Sequence, residues 1–366
     1  MQMPGKFFLL LLACTLLASA CTAPRIQIAM ENAGRPCHII FDAGSKGTRL
    51  YIYEQSISGW IRHEGPKTRA LADPVRQVRG KTMADAETVV DDIVDLLEQM
   101  RTAGPTTVKG KTRWQAFDWR QVCDVQSASV LATAGMRLAE QANATDANIV
   151  WDMLNTRLKK QVGIEVTTRT LSGYEEGLFA WMAIAEEQPD LNFGMAEMGG
   201  GSMQITFPCS SCEFSRQVSI GGEKLAIYSR SFLGWGQDEA WQRFGNSVAC
   251  KLGAAKQTPS WEMSDCAAGI KDFEQSALDA LENIELAEPK RWLLSDAFRY
   301  MKDDDIERYC LLGDDTGYEP ESACFRAVFL QKILENLGLP LDSKLSYADW
   351  TLGAVICTAT QCLEAD

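Results

Sequence analysis

Histidine is scarce in this chain of 366 residues, and the 36 lysines and arginines are outnumbered by 49 acids. The two histidines, His38 and His63, lie outside the glycine-rich motifs described below, so no histidine nucleophile is indicated. A formal net charge of −13 argues against nucleic acid as a partner, because phosphate backbones are bound through clustered lysine and arginine. A single polyphosphate is still compatible with an acidic chain, since backbone amides and a divalent cation can hold it.

Long apolar runs are confined to the N-terminus. Phe7–Leu17 follow the cation Lys6 and precede the small-residue sequence Ala18-Ser19-Ala20. The run is too short to span a bilayer, which needs about 20 residues. It has the layout of a signal peptide cleaved near Ala20. The sequence therefore predicts an exported protein that is secreted, periplasmic or held at the cell surface.

Cysteine usage agrees with export. Of the 12 cysteines, Cys14 lies in the expected signal peptide and Cys21 would begin the mature chain. The other ten form an even set, as is usual in exported proteins that pair their thiols. Closeness in sequence favours four local pairs: Cys209 with Cys212, Cys250 with Cys266, Cys310 with Cys324, and Cys357 with Cys362. The segment ending at Cys21 resembles a bacterial lipobox whose leucine stands one place too far away, which leaves a lipid anchor open.

Two glycine-rich stretches repeat one order of residue types: an acid, a small or apolar residue, glycine, then a hydroxyl. They are Phe41–Arg49 and Ala196–Gln204, with Asp42 and Glu197 as the leading acids. Glycine lets backbone N–H groups approach a phosphate, hydroxyls add donors, and the acid can hold a metal. Either stretch alone is a weak signal, because Gly199-Gly200-Gly201 could equally form a strand bulge. As a pair they predict two facing half-domains that clamp a polyphosphate.

Strand-like runs alternate with amphipathic helices along the chain. His38–Phe41 and Leu50–Tyr53 flank the first glycine stretch in the manner of a β-hairpin. Apolar residues at helical spacing predict a helix over Met83–Met100. The other assignments are strands at Ser127–Leu131, Ile164–Thr168, Asn192–Met195 and Met203–Phe207, and helices at Ile149–Val162 and Leu178–Glu187. Between Trp235 and Asp342 the pattern is mainly helical, and the chain length favours two domains of about 100–200 residues.

Five short regions in fixed order resemble the characteristic regions of the apyrase family, the nucleoside triphosphate diphosphohydrolases. They are Ile39–Thr48, Ala132–Arg137, Leu171–Trp181, Gly194–Phe207 and Ala348–Ala354. Tyr228–Gly236 is also similar to a stretch of the family. Five ordered matches that bracket nearly the whole chain are a far stronger signal than one glycine loop.

The resemblance implies an α/β fold of the actin and sugar-kinase superfamily. This fold has two ribonuclease-H-like lobes with a central cleft between them, and helical insertions are expected in the second lobe. The first lobe is expected over residues 35–166 together with 345–366, and the second over residues 167–344, after a signal peptide over residues 1–20. The active cleft is expected between the lobes, where ligand sites are common.

The same resemblance implies a hydrolase of nucleoside tri- and diphosphates that depends on Mg or Ca. Glu176 falls on the general base of the family, and Ser202 and Gln204 fall on residues that position the attacking water. Asp42 and Glu197 are expected to hold the hydrated cation. The expected phosphate contacts are Ser45, Lys46, Gly47, Thr48, Thr133, Ala134, Gly200 and Gly201. A base that orients water, together with electrostatic clamps, is sufficient for phosphoryl transfer.

Three positions depart from the family pattern. Glu197 stands where aspartate is usual, Lys46 where a second serine is frequent, and Ala185 where asparagine often occurs. Glutamate is one methylene longer than aspartate, and Mg demands near-octahedral geometry at about 2.0–2.1 Å, so the metal preference is open. Lysine can bind phosphate as a point charge. Glu175 is assigned to the dipole of a helix and Trp350 to packing.

The sequence leaves open two functions other than that of a nucleotidase. The first is an exopolyphosphatase or guanosine pentaphosphate phosphatase, which also carries Gly-Gly-Gly-Ser. Those enzymes normally continue with Thr-Glu, whereas this chain has Met203-Gln204. The second is a surface protein that binds nucleotides but hydrolyses them weakly, having lost its metal through Glu197.

Overall fold

The computed structural model of the chain consists of two β-sheets with helices around and between them. It describes residues 34–76, 83–103, 106–108, 111–270, 289, 291–316, 319–339, 343–347 and 349–363. The expected signal peptide and Cys21 lie outside the described residues, as does Ala348 of the fifth family-like region. Within these ranges, no helix is both long and apolar enough to cross a membrane.

The strands form two large sheets and one small ribbon. Their bounds are β1 Arg35–Gly44, β2 Gly47–Ser56, β3 Gly59–Thr68, β4 Thr106–Val108, β5 Lys111–Trp114, β6 Cys123–Ala132, β7 Val166–Thr170, β8 Gly194–Met198, β9 Ser202–Pro208, β10 Arg216–Ile220, β11 Glu223–Leu233, β12 Trp292–Asp296 and β13 Lys344–Leu345. The first sheet has the order β3-β2-β1-β6-β7, and the second has the order β10-β11-β9-β8-β12-β13. Strands β4 and β5 pair separately.

The two sheets repeat one plan. Strand β1 pairs antiparallel with β2 and parallel with β6. Strand β8 likewise pairs antiparallel with β9 and parallel with β12. Each sheet therefore has an inner strand that carries an acid, Asp42 or Glu197, just before a glycine loop. This repeat explains why the two glycine stretches resemble each other.

Helices cover both sheets. Their bounds are α1 Ala86–Thr102, α2 Trp119–Val122, α3 Ala134–Ala142, α4 Ala144–Val162, α5 Gly173–Ala185, α6 Gln237–Phe244, α7 Ala254–Gln257, α8 Met263–Ala267, α9 Pro320–Asn336 and α10 Trp350–Thr360. Short 3₁₀ segments lie at Val248–Cys250, Ala268–Ile270 and Ala297–Tyr300, and a π-helical turn lies at Glu307–Leu311.

Helix α1 shows how local sequence produces a packed element. The Asp85 carboxylate accepts a hydrogen bond from the Thr88 N–H at 3.0 Å and so caps the first turn. The apolar side chains at helical spacing are all buried: Val89, Val90, Ile93, Leu96, Leu97 and Met100. They pack with residues of the first sheet in one core cluster. The predicted helix over Met83–Met100 is therefore confirmed.

Helices α5 and α10 form a central layer of the molecule. They share one buried cluster with Ile40 of the first sheet and Met195 of the second. Their contact is very close, because a Cβ at Gly353 would lie only 1.8 Å from the Phe179 carbonyl oxygen. Glycine at that position lets the two backbones approach. This layer holds the two sheets on either side of the cleft.

Several elements differ from the expectations. Helix α5 begins at Gly173, five residues before the predicted start at Leu178, because Ser172 and Glu175 form a reciprocal capping box. Strand β12 lies within the region expected to be mainly helical, and strands β3, β10 and β11 were not predicted. The lobe boundary near Val166 stays a prediction, and strand β7, which begins there, belongs to the first sheet.

Five disulfides join the described cysteines. The four pairs favoured by closeness in sequence are confirmed. The fifth joins Cys37 of β1 to Cys123 of β6, with their Cα atoms 5.4 Å apart. It ties together two neighbouring parallel strands whose residues are far apart in sequence.

Candidate active site

A cavity of about 250 Å³ lies between the two sheets, with glycine loops from both in its walls. The predicted site residues that line it are Asp42, Ser45, Lys46, Gly47, Thr133, Ala134, Glu176, Glu197, Gly200, Gly201, Ser202 and Gln204. Thr48 is not among them. Its side chain is fully buried, and its N–H donates to the Arg69 carbonyl at 3.0 Å. Thr48 belongs to β2, and its buried Oγ1 has no hydrogen-bond partner among the described residues, so the expected phosphate contact at Thr48 stays a prediction.

The first glycine loop is a tight hairpin turn. Ser45 and Lys46 join β1 to β2, and the ladder closes on the pair Gly44 and Gly47. A Cβ at Gly47 would lie 2.4 Å from the Thr68 carbonyl oxygen, so this position needs glycine. The turn therefore brings its backbone and the Ser45 hydroxyl to the cavity.

The second glycine loop leans on the N-terminus of α6. The N–H groups of Gln237 and Asp238 donate to the Gly199 and Gly200 carbonyls, each at 3.0 Å. Because a trans peptide places its N–H opposite its C=O, the amides that follow these carbonyls point away from α6. Their N–H groups, those of Gly200 and Gly201, are thus presented as donors, as phosphate binding requires.

The two loops touch each other directly. A Cβ at Gly201 would lie 2.7 Å from both the Ser45 Oγ and the Ala134 Cβ. Lys46 also bridges the cleft, with its Nζ 2.9 Å from Asp238 and 3.3 Å from Glu319. The second glycine loop is therefore contacted by Ser45 and by Ala134 of α3, and α6 is contacted by Lys46.

The leading acids of the loops carry raised pKa values. Burial, and then the Asp349 carboxylate, raises the pKa of Asp42 to about 7, while Arg49 and Lys67 oppose the shift. Burial raises the pKa of Glu197 well above its usual range, and neighbouring carboxylates add to the shift. Both groups are therefore held in a place where a positive charge would be strongly stabilised.

Glu176 lies in the first turn of α5 and is buried. Its carboxylate accepts a hydrogen bond from Arg137 Nη2, and the same nitrogen lies 3.2 Å from Ser202 Oγ. Gln204 Nε2 donates to Ser202 Oγ at 2.7 Å and to Ser231 Oγ at 3.1 Å. Burial raises the pKa of Glu176, and Arg137 opposes that rise. The three predicted catalytic side chains are thus joined in one hydrogen-bonded group.

Glu175, the neighbour of Glu176, stabilises the start of the helix. Its carboxylate accepts from the Ser172 N–H at 2.9 Å and pairs with Arg169 at 2.7 Å. These contacts belong to the helix start and lie outside the cavity lining. The assignment of Glu175 to the end of the helix agrees with this geometry.

Asp296 is the main cavity residue that the sequence reasoning missed. It ends β12 beside β8, with its backbone at φ 54° and ψ −118°. A non-glycine residue in that region is strained by about 1–3 kcal/mol, and such residues cluster at functional sites. Burial raises the pKa of Asp296 to about 6. An acid at the end of an apolar strand was the available signal.

Besides Gly44 and Gly199 of the two glycine stretches, three more residues line the cavity without having been assigned to it: Lys67, Gln237 and Trp350. Trp350 was expected to serve packing alone. It begins α10, is partly exposed, and contributes to the cavity wall. Trp350 does pack against the buried cluster of α5 and α10, so the assignment to packing is confirmed, and the place in the cavity lining comes in addition to it.

The donor chemistry of the cavity fits a divalent cation held largely through water. Asp42 and Glu197 supply carboxylate oxygens, the ligands preferred by Mg²⁺ and Ca²⁺. Among the described residues, no group of three or more His, Cys, Asp or Glu side chains is arranged to ligate a metal directly. Mg²⁺ is usually held by one or two carboxylates while keeping several waters. The two loop acids match that mode.

A family comparison adds to this geometry. Residues 29–268 match the sequence profile of the GDA1/CD39 (nucleoside phosphatase) family. The chain belongs to this family. The match spans both glycine loops, Glu176 and Arg137.

Two related proteins are similar to the chain over part of their length. Ectonucleoside triphosphate diphosphohydrolase 1 of Mus musculus is 26% identical over 245 residues, which are 60% of this chain and 45% of that protein. Nucleoside-triphosphatase ntp-1 of Caenorhabditis elegans is 29% identical over 235 residues, 57% of this chain and 40% of that protein. The chain thus spans less than half the length of these two relatives. The predicted resemblance to the apyrase family is confirmed.

Solved structures show the fold. A Ppx/GppA family member from Aquifex aeolicus superposes with a TM-score of 0.53 at 15% identity, covering 89% of this chain and 98% of that one. An exopolyphosphatase from Cytophaga hutchinsonii gives a TM-score of 0.50 at 13% identity, with coverage of 89% and 98%. At sequence identities this low, the similarity shows the fold alone. The predicted α/β fold with two lobes of the actin-like kind is confirmed.

Proposed function

We propose that the protein hydrolyses the terminal phosphates of nucleoside tri- and diphosphates, with Glu176 activating the attacking water. One observation carries the proposal. Glu176 lies in a cavity lined by both glycine loops, within a chain of the nucleoside phosphatase family. This arrangement supplies a base and phosphate donors from two sides of one cleft.

The phosphates would be held mainly by backbone amides and hydroxyls. Ser45 and the amides of the first loop would contact the phosphate groups from one side. The amides of Gly200 and Gly201 would contact them from the other. Thr133 and Ala134 add the N-terminus of α3, whose unpaired N–H groups and dipole favour an anion. Asp42 and Glu197 would hold a hydrated Mg or Ca ion, which supplies positive charge against the phosphate oxygens when bound.

The water would be activated beside Glu176. The Glu176 carboxylate takes a proton from the water as its oxygen attacks the terminal phosphorus, and the bond from that phosphorus to the bridging oxygen breaks. The bridging oxygen keeps the electron pair of the broken bond and leaves with the rest of the nucleotide. Ser202 and Gln204, joined at 2.7 Å, would fix the direction of attack. No covalent intermediate with the protein is needed.

A phosphate-release assay tests the function. The substrates are ATP, ADP, a panel of other nucleoside triphosphates, and long-chain polyphosphate, each with Mg, with Ca and with EDTA. We expect release from tri- and diphosphates with a metal and none with EDTA. Release from polyphosphate alone would favour the exopolyphosphatase alternative. Binding of nucleotide without release under every metal would favour the weakly hydrolysing surface protein.

We propose further that the protein is exported. The five disulfides support an oxidising compartment, where such bonds persist. A lipid anchor at Cys21 belongs to the same proposal. Mass spectrometry of the native N-terminus tests both: cleavage near Ala20 is expected, and an unmodified Cys21 would remove the anchor.

A further inference from the structure

We propose that Arg137 is a positioning residue of the active site, which holds the Glu176 carboxylate and the Ser202 hydroxyl in the orientation that the attacking water needs. The proposal rests on the proposed function, since it assigns a role within the same reaction. It adds a residue of α3 to a catalytic group that otherwise lies on α5 and β9.

The position of Arg137 is set by α3. The residue lies one turn into this helix, whose first residues Thr133 and Ala134 line the phosphate end of the cavity. From there its side chain crosses to the start of α5 and to β9. One helix therefore presents both its N-terminus to the phosphates and a guanidinium to the base.

A single nitrogen makes both contacts. Arg137 Nη2 donates to the Glu176 carboxylate and lies 3.2 Å from Ser202 Oγ. The side chains of the ion pair are largely buried, at 14% exposed for Arg137 and 10% for Glu176. A guanidinium is planar and directional, so it fixes the carboxylate in orientation as well as in place.

These contacts decide what the Ser202 hydroxyl is free to do. Its oxygen accepts from Arg137 Nη2 at 3.2 Å and from Gln204 Nε2 at 2.7 Å. A hydroxyl has two lone pairs and one hydrogen. With both lone pairs occupied, the hydroxyl hydrogen is left to point at Glu176 or at a water in the cleft. Arg137 thereby leaves the Ser202 hydroxyl to donate to the Glu176 carboxylate, with which it shares a side-chain hydrogen bond, and so fixes the base that takes the proton from the water.

The fold makes room for this guanidinium. A Cβ at Gly173 would lie 2.8 Å from Arg137 Nη1 and 2.3 Å from the Ser231 Cβ. Glycine at the start of α5 thus opens the space that Arg137 fills. Arg137 Nε is buried and has no hydrogen-bond partner among the described residues, which leaves one more donor for a water or a phosphate oxygen.

A matched arginine separates positioning from simple bridging. Arg76 also follows the first sheet and makes a two-pronged ion pair with Glu239 of α6, at 2.7 Å for each bond. It does not line the cavity. Arg76→Ala removes one partly buried arginine–glutamate pair across the molecule without touching Glu176 or Ser202.

The test measures kcat and KM for the best nucleotide of the panel in wild type, Arg137→Ala, Arg137→Lys and Arg76→Ala. We expect Arg137→Ala to lower kcat by about 10²-fold, as misplacement of a base does, with KM changed less than about threefold. Arg137→Lys keeps the charge but not the planar fork, so an intermediate loss of about tenfold is expected. Arg76→Ala should stay within about threefold of wild type.

A double-mutant cycle with Ser202→Ala adds a second measurement. If Arg137 acts through Ser202 and Glu176, the losses of Arg137→Ala and Ser202→Ala should be far from additive, because the residues form one unit. Calorimetry with a non-hydrolysable nucleotide should show nearly unchanged affinity for Arg137→Ala. Thermal unfolding of each variant checks that the fold is retained, and Arg137→Lys serves if the alanine variant unfolds.

The outcomes separate this inference from the proposed function. Equal kcat in Arg137→Ala and Arg76→Ala, additive losses in the cycle, or a loss confined to nucleotide affinity would each overturn the role of Arg137. Failure of the proposed function shows earlier and differently, as wild-type protein that releases no phosphate from nucleotides. In that case the role assigned to Arg137 falls with it.

Discussion

The two glycine loops share a layout but differ in the charges around their acids. Asp42 stands opposite Arg49 in the β1–β2 ladder, and Lys67 also acts on it. Glu197 stands opposite Gln204, an uncharged residue, in the β8–β9 ladder. The first loop therefore brings positive charge to its own acid, and the second does not.

The carboxylates around Glu197 make the contrast stronger. The charged groups that shift its pKa most are Glu176, Asp296 and Asp42, and all three raise it. Such a group is stable as an anion only when positive charge reaches it from outside the protein. The second loop therefore depends on the proposed cation more than the first. It also gives a physical reason why the unusual glutamate at Glu197 matters.

Neutralising each loop acid should break both the activity and the symmetry between the loops. Glu197→Gln and Asp42→Asn are each expected to lower phosphate release by about 10³-fold, because the cation loses a ligand. In EDTA at about pH 8, Glu197→Gln should raise the melting temperature by about 3 °C or more, since it removes a buried acid whose pKa burial and neighbouring carboxylates raise. Asp42→Asn should raise it by less.

Scanning calorimetry of the two variants and wild type, without and with Mg, gives the comparison directly. Wild type should gain more from Mg than either variant. A larger rise for Asp42→Asn than for Glu197→Gln would contradict the difference between the loops.

Adding one methyl group to the second loop should separate its glycines. At Gly201 a Cβ meets Ser45 and Ala134 at 2.7 Å, whereas at Gly199 the nearest atoms are 3.8 Å away. Gly201→Ala is expected to cost about 1–3 kcal/mol of stability and to lower kcat/KM by about 10²-fold, because it pushes the loops apart. Gly199→Ala should stay close to wild type.

The matched pair is read by urea unfolding and by the phosphate-release assay. If both alanine variants behave alike, the close approach of the two loops has no role in the reaction.

Acidification should stabilise the metal-free protein. The pKa of Asp42 is raised to about 7 and that of Asp296 to about 6, from an ordinary value of 3.8. The folded state then binds protons that the unfolded state has already released, so stability falls as pH rises through this window and increases as pH falls from about 8 to about 5.5. A rise of a few degrees in melting temperature is expected over that range in EDTA.

With saturating Mg the same scan should be flatter, because a cation and protons compete for the loop acids. A melting temperature that falls between about pH 8 and 5.5 in EDTA would refute the raised pKa values of the cluster.

Much of the fold could be predicted because its signals are local. The apolar spacing in α1 and the turn between β1 and β2 both depend on residues close in sequence. Strand β12 was missed because its pairing with β8 joins segments about 100 residues apart, which no local pattern records. Helix α5 was started too late because Gly173 and Gly177 have low helix propensity, which the Ser172–Glu175 capping box outweighs.

The candidate site was predicted in part for a related reason. Glu176, Ser202 and Gln204 lie in or beside motifs whose spacing resembles a known family, and they meet in the cavity. Asp296 lies outside those motifs and reaches the cavity only through the register of β12. The contact between Arg137 and Glu176 joins α3 to α5, so it depends on the packing of two layers and not on a sequence interval.

Replacing each of two neighbouring glutamates tests whether Glu176 activates the attacking water. Glu176 and Glu175 are adjacent in α5, yet only Glu176 lines the cavity, while Glu175 caps the helix. Single-turnover phosphate release from ATP with Mg is measured for Glu176→Gln and Glu175→Gln. We expect a loss of at least about 10³-fold for Glu176→Gln with nucleotide still bound, and near wild-type turnover for Glu175→Gln. Full turnover by Glu176→Gln would contradict it.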